Sequence, residues 1–250
     1  MKLFRRCAAL ALLWLHVLPA QAGELTVSAA ASLTEAFKDI GQRFQAEHPG
    51  TVLRFNFAAS GVLIQQIAQG APVDVFASAD QATMDRGIAQ KLVDAATRRD
   101  FAANTVVLVV PADAPAGITK LPDLAGPAVR HIAIGKPATV PVGRYTQQAL
   151  EAAGLWETLG PRFVPADSVR QALDWVARGE AEAGFVYRTD AAAAGGKVRV
   201  VLAPGGHAPV TYPAAVVAGS AQPALARAFV DYLLSPAAQQ VLALHGFERP

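Results

Sequence analysis

Cysteine is all but missing from this chain. The single Cys7 sits at the head of an apolar run from Cys7 to Leu18, preceded by Lys2, Arg5 and Arg6 and followed by the small-x-small sequence Ala20-Gln21-Ala22. Residues 1–22 therefore read as a secretory signal peptide cleaved near Ala22. The run is too short and wrongly flanked for a spanning helix, and Cys7 is misplaced for a lipid-anchored cysteine. Residues 23–250 contain no cysteine, which excludes disulfides and thiol chemistry from the mature chain.

Charge of either sign is equally scarce. The whole chain carries a formal +2, but residues 1–22 hold three basic and no acidic residues, leaving 19 Lys and Arg against 20 Asp and Glu afterwards. A chain so balanced gives no sign of a nucleic-acid or anionic-membrane partner. No later segment is long and apolar enough for membrane insertion. There is no tandem repeat, no low-complexity tract and no heptad seam. His48, His131, His207 and His245 lack paired metal-ligand spacing, so no free-cation site is expected. A G-x-S-x-G elbow is absent too, and a serine hydrolase would need that device or a nearby base.

What remains is 228 residues with an apolar fraction that supports a sizeable core, 52% over the whole chain. The stretch Glu24 to Phe44 organises the rest. Leu25-Thr26-Val27 is β-prone, Ala29-Ala30-Ala31 has almost no side-chain bulk, and Leu33, Phe37, Ile40 and Phe44 recur at helical intervals. Ser32 and Glu35 have capping-box spacing, so Ser32 is expected as an N-cap. A helix N-terminus at the end of a strand offers unpaired N–H groups and a partial positive charge, which suits an anion. The device recurs: Thr51 to Phe57 alternates as a strand, Ala58-Ala59-Ser60 repeats the turn, and Val62, Leu63, Ile64 and Ile67 open a helix.

Further strands are expected at Val73 to Ala77, Thr105 to Val110, Ile132 to Ile134, Ala183 to Tyr187, Val198 to Leu202 and Ala214 to Ala218, with Phe163-Val164 leading into the helix start at Asp167-Ser168. Helices are expected from Asp80 to about Leu92, Arg144 to Ala153, Asp167-Ser168 to Gly179, Asp190 to Ala194, Pro223 to Leu234 and Pro236 to Leu244. Ala112 to Pro127 and Pro204 to Pro213 read as loops. The alternation predicts an α/β fold with mostly parallel sheets flanked by helices. Two strands enclosing about a hundred residues predict two lobes joined by two crossings: 23–104 with 212–250, and 105–211.

The segments VSAAASLTEAF (27–37), FNFAASG (55–61), GAPVDVFASAD (70–80), VPVGRYTQQAL (140–150), ADSVRQAL (166–173), GFVYRTDA (184–191) and LSPAAQQVLALHGF (234–247), in this order over the whole mature chain, resemble the periplasmic molybdate-binding proteins of ABC importers. The resemblance implies a two-lobed periplasmic binding protein fold with the anion in the cleft, no enzymatic activity and no cofactor. It also implies molybdate or tungstate as ligand, a membrane permease with its ATPase as partner, and a monomer. Carried over, Ser32 and Ser60 give hydroxyl and backbone donors, Val142 and Val169 backbone N–H groups, and Tyr187 its phenol. The family usually has alanine at the place of Val142, so cleft shape is where this chain departs.

Molybdate, tungstate and sulfate are proton-free dianions at neutral pH, and these five positions supply only neutral donors. Phosphate keeps a proton and would want a carboxylate. Hydrogen bonds to a charged group contribute about 1.5–3 kcal/mol each, and micromolar binding needs about 8 kcal/mol, so some half a dozen donors suffice. A receptor for sulfate or another tetrahedral oxyanion is the alternative of the same kind. A periplasmic serine-dependent hydrolase using Ser32 or Ser60 is the alternative of another kind. Arg144, Arg170 and Arg188 follow the proposed second-lobe contacts and are expected either as solvated side chains or as charges that draw anions to the cleft mouth. Asp74 and Asp80 read as turn and cap residues, Trp156 and Trp175 as packing residues.

Overall fold

A computed structural model describes residues 23–115 and 117–250. The signal-peptide reading, with its cleavage near Ala22 and Cys7, falls on residues outside this range.

The first strand, β1 (Glu24–Ala30), runs through the alanines expected to form a turn. Small side chains allow this, because Ala29 and Ala30 lie in parallel register with Phe57 and Ala58 of β2 (Val52–Ala58). Between β1 and β2 lie a 3₁₀ turn, Ala31–Leu33, and α1 (Thr34–Glu47). Then come α2 (Ser60–Ala68), β3 (Val75–Ala77), α3 (Gln81–Ala89) and β4 (Arg99–Asn104). β4 was not expected, since Arg99 and Asp100 break its apolar pattern at the sheet edge.

The chain crosses at Asn104-Thr105 into β5 (Val106–Pro111), followed by β6 (Ile132–Gly135), α4 (Pro141–Ala152), α5 (Trp156–Leu159), β7 (Phe163–Ala166), α6 (Val169–Ala177), β8 (Ala183–Tyr187), α7 (Arg188–Ala193) and β9 (Val198–Leu202). It returns as β10 (Val210–Val216) and ends in α8 (Pro223–Tyr232) and α9 (Pro236–Leu244). β10 begins four residues before the expected Ala214. It tolerates Pro213 because the register shifts between Tyr212 and Pro213, a bulge that spares a ladder hydrogen bond.

Two five-stranded sheets result, ordered β2-β1-β3-β10-β4 and β7-β6-β8-β5-β9. They are mixed rather than mostly parallel. β1, β2 and β3 are parallel, as are β6, β7 and β8, whereas β10 and β5 pair antiparallel with both neighbours. The antiparallel strands are those that enter or leave a sheet at the two crossings.

In the first sheet's core, Phe37 and Phe44 of α1 meet Phe101 and Phe229. Phe37 ring centroids lie 5.7 and 6.0 Å from those of Phe101 and Phe229, and Phe44 lies edge-on to Phe229 at 5.2 Å. Such pairs add about 0.5–1.5 kcal/mol each beyond area burial. Helix starts are fixed locally: Asp80, Ser168 and Ser235 accept from Thr83, Gln171 and Ala238 N–H, caps of about 1 kcal/mol each.

Candidate functional site

Each sheet contributes three parallel strands whose carboxyl ends lead into short turns and helix starts, the place where open α/β sheets present their binding residues. After β1, β2 and β3 come Ser32, Ser60 and Ala79; after β6 and β7 come Val142 and Val169, and Tyr187 ends β8. All six line one small cavity between the sheets, together with Ala30, Ala31, Ala58, Ala59, Val140 and Pro141. The five positions singled out in the sequence are thus gathered in one place. The lining contains no carboxylate, histidine, lysine or arginine. Larger hollows lie elsewhere: one beside Pro111, Ile118 and Val129 is mostly apolar, and one between the lobes is lined by Ser32, Glu35, Arg170, Thr189 and His245; of these, only the small cavity brings donors from both lobes together without a charged side chain.

Ser32 is not the N-cap expected from its spacing to Glu35. It lies inside the 3₁₀ turn, and neither it nor Leu33 caps α1 through a side chain. Its Oγ instead lies 3.0 Å from the Tyr212 hydroxyl, and Glu35 pairs with Arg170 across the lobes. Because β1 continues to Ala30, the turn falls one step later than the sequence pattern suggests. Ser60 is the first residue of α2 rather than its cap, and its Oγ accepts from Ala79 N–H at 3.0 Å.

Val142 and Val169 lie in the first turns of α4 and α6, where backbone N–H groups precede the first intrahelical acceptor. α4 starts at Pro141, three residues before the expected Arg144, with proline at the first position. Gly143 makes that start possible, since a Cβ there would stand 2.0 Å from Gly135 O. Tyr187 is buried, and its hydroxyl donates weakly to Ala79 O at 3.4 Å. Burial pushes its phenol well above the ordinary tyrosine value, so it is a donor at all physiological pH.

The lobes touch around this cavity. Gly61 N–H donates to Thr139 O at 2.9 Å. Arg144 donates to Asp80, whose side chain is 4% exposed, and to Thr83. Arg170 joins Glu35 and stands 2.8 Å from the buried Asp190, close but not aligned for a hydrogen bond. Arg144 and Arg170 are therefore neither solvated nor free to draw anions, because carboxylates hold them between lobes. Arg188 is exposed and makes no ion pair among the described residues. Burial raises the Asp190 carboxyl to about 6 despite Arg170. Asp80 caps α3 as expected and also takes Arg144, while Asp74 accepts from Thr26 N–H and the Ser220 hydroxyl.

The sequence reading missed Asn104, Thr189 and Tyr212, which stand behind Ser32. A tyrosine two residues before the expected strand, inside a Pro-Gly-rich stretch, gave only a weak signal. Among the described residues no group of three or more His, Cys, Asp or Glu could hold a metal ion, and no helix is long and apolar enough to cross a membrane.

Residues 25–248 match the family model described as bacterial extracellular solute-binding protein. The chain belongs to that family. Among its relatives, the molybdate-binding protein ModA of Escherichia coli strain K12 is 41% identical over 238 residues, covering 91% of this chain and 90% of that one. Two solved structures share the fold of this solute-binding protein. The substrate-binding domain of a putative molybdenum ABC transporter from Clostridium difficile is 36% identical with a TM-score of 0.69, covering 91% of this chain and 99% of that one. The Azotobacter vinelandii periplasmic molybdate-binding protein is 27% identical with a TM-score of 0.78, covering 90% and 99%. These relatives are binding proteins, not enzymes, and the lining supplies no base to activate either serine.

Proposed function

We propose that this solute-binding protein captures molybdate, and tungstate with it, in the cavity between its lobes and delivers it to the permease and ATPase of an ABC importer. Ser32 and Ser60 donate through hydroxyl and backbone, Val142 and Val169 through backbone N–H groups, and Tyr187 through its phenol. The lobes are 23–104 with 212–250, and 105–211, and they close about the crossings at Asn104-Thr105 and before Tyr212. The protein acts as a monomer in the periplasm after loss of residues 1–22.

The observation that carries this reading is the donor set: six chain segments from two lobes converge on a cavity whose lining offers neutral donors and no side-chain carboxylate. A proton-free dianion fits such a lining, whereas a protonated one finds no carboxylate to take its hydrogen. Two of the relatives are named molybdate-binding proteins and a third belongs to a putative molybdenum ABC transporter, which supports this anion.

Isothermal titration of residues 23–250 with molybdate, tungstate, sulfate and phosphate tests it. Tight one-to-one binding of molybdate and tungstate, far weaker sulfate, and at least about tenfold weaker binding by Ser60→Ala are expected. Binding of sulfate but not molybdate would transfer the reading to the sulfate alternative. No oxyanion binding would overturn it.

A further inference from the structure

A serine hydroxyl can donate or accept, and a cavity built for proton-free anions needs its serines to donate. What sets the direction at Ser32 lies behind it. Asn104, the last residue of β4, is buried at the first crossing. Its Oδ1 accepts from Thr105 N–H at 2.8 Å, which fixes the amide orientation. The amide nitrogen then lies 2.9 Å from Thr189 Oγ1 and 3.2 Å from the Tyr212 hydroxyl. An amide nitrogen only donates, so the Tyr212 oxygen accepts from it. The one phenolic proton is left for Ser32 Oγ, 3.0 Å away. Ser32 Oγ accepts that proton, and its own hydrogen is turned away from Tyr212 toward the cavity it lines.

Burial holds the Tyr212 phenol far above the ordinary tyrosine value, so the donor is never lost. Ser60 is fixed in the same sense by Ala79 N–H, a backbone donor that cannot reverse.

We propose that Asn104 and Tyr212 are positioning residues whose hydrogen-bond relay holds Ser32 as a donor, so that the cavity discriminates against oxyanions that carry a proton. The inference rests on the oxyanion-binding reading above and adds to it the groups that enforce selectivity. Of the two lone pairs on Ser32 Oγ, the Tyr212 phenol takes one, so Ser32 meets the cavity with its hydrogen and a single lone pair. A proton-free anion uses the hydrogen, whereas the hydroxyl of hydrogen phosphate finds one lone pair on Ser32 instead of two and, without it, is left an unsatisfied donor.

The test is a double-mutant cycle of Tyr212→Phe and Ser32→Ala, read by titration with molybdate and by competition with phosphate. Tyr212→Phe keeps the ring and removes only the hydroxyl. It is expected to weaken molybdate about tenfold, to narrow the molybdate-to-phosphate affinity ratio by more than that factor, and to have little further effect on either anion once Ser32 is alanine. Rescue of phosphate competition in Tyr212→Phe but not in the double variant marks action through Ser32. A loss that is equal for both anions, equal in both Ser32 backgrounds, or without any gain in phosphate competition overturns the relay. If Tyr212→Phe does not fold, Asn104→Ala removes the upstream donor and is read in the same cycle. Failure of the unmodified protein to bind any oxyanion overturns the binding reading itself, a result distinct from normal binding with an additive cycle.

Discussion

Arg144 Nε lies 2.8 Å from Asp80 Oδ2, joining the first turns of α4 in one lobe to the N-cap of α3 in the other. The same guanidinium donates to Thr83 Oγ1 at 2.7 Å and to Pro137 O at 2.9 Å. Arg144 follows Val142 by two residues and Asp80 follows Ala79 directly, so the pair sits against two walls of the cavity and forms only when the lobes meet.

Arg144→Gln is therefore expected to speed release more than it slows capture. Removing one partner of a fully buried ion pair costs about 3–5 kcal/mol. The Arg144 side chain is 22% exposed, so we expect about 1–2 kcal/mol, or roughly a tenfold faster dissociation. Stopped-flow fluorescence checks this, with Trp175 on α6 as the reporter. An unchanged dissociation rate would show that the pair does not hold the closed form.

Gly61 tests closure by sterics alone. A Cβ at this position would stand 2.5 Å from Thr139 O, a backbone atom of the opposite lobe that Gly61 N–H also contacts at 2.9 Å. Gly61→Ala improves helix propensity by up to about 1 kcal/mol, so the thermal midpoint without ligand should hold or rise. Anion affinity should fall by about tenfold or more, with a larger radius of gyration by small-angle scattering. Unchanged affinity would mean that the lobes need not approach this closely.

Arg188 is the one arginine of the three left to act on diffusing anions. Arg188→Ala is expected to lower the association rate about twofold at low salt and to have no effect near 1 M salt. An association rate that is unchanged at low salt would place it outside capture.

Asp190 gives a pH signature. Its folded pKa is raised to about 6 by burial, against the lowering effect of Arg170 and with Glu35 raising it further. A raised carboxylate pKa means that the folded protein holds the proton more tightly than the unfolded chain. The associated stability is complete below about pH 4 and is lost as pH rises through about 6. Urea midpoints measured from pH 4.5 to 7.5 should fall for the unmodified protein relative to Asp190→Asn across that window. Parallel profiles would assign Asp190 an ordinary pKa.

Some elements were legible because they obey a local rule. β8 ends at Tyr187 and α9 begins at Pro236 behind Ser235, as their patterns require. Ser32 and Ser60 were found by their recurrence after small-residue turns, although neither caps a helix. Local spacing cannot tell a capping serine from one held by a partner 180 residues away, which is the separation of Ser32 and Tyr212. Arg144 and Arg170 were misread for the same reason: Asp80 lies 64 and Glu35 135 residues from its partner, and only the closed fold brings them together. The antiparallel course of β5 and β10 was equally hidden, since an apolar run has no direction.

The central claim is that five neutral donors from both lobes hold a proton-free oxyanion in one small cavity. A crystal structure of residues 23–250 grown with molybdate, with anomalous data collected at the molybdenum edge, tests it most directly. The account predicts a single strong anomalous peak in the cavity, with oxyanion oxygens within hydrogen-bond distance of Ser32, Ser60, Val142, Val169 and Tyr187. A peak elsewhere, or one in the cavity out of reach of the second-lobe donors, would contradict it.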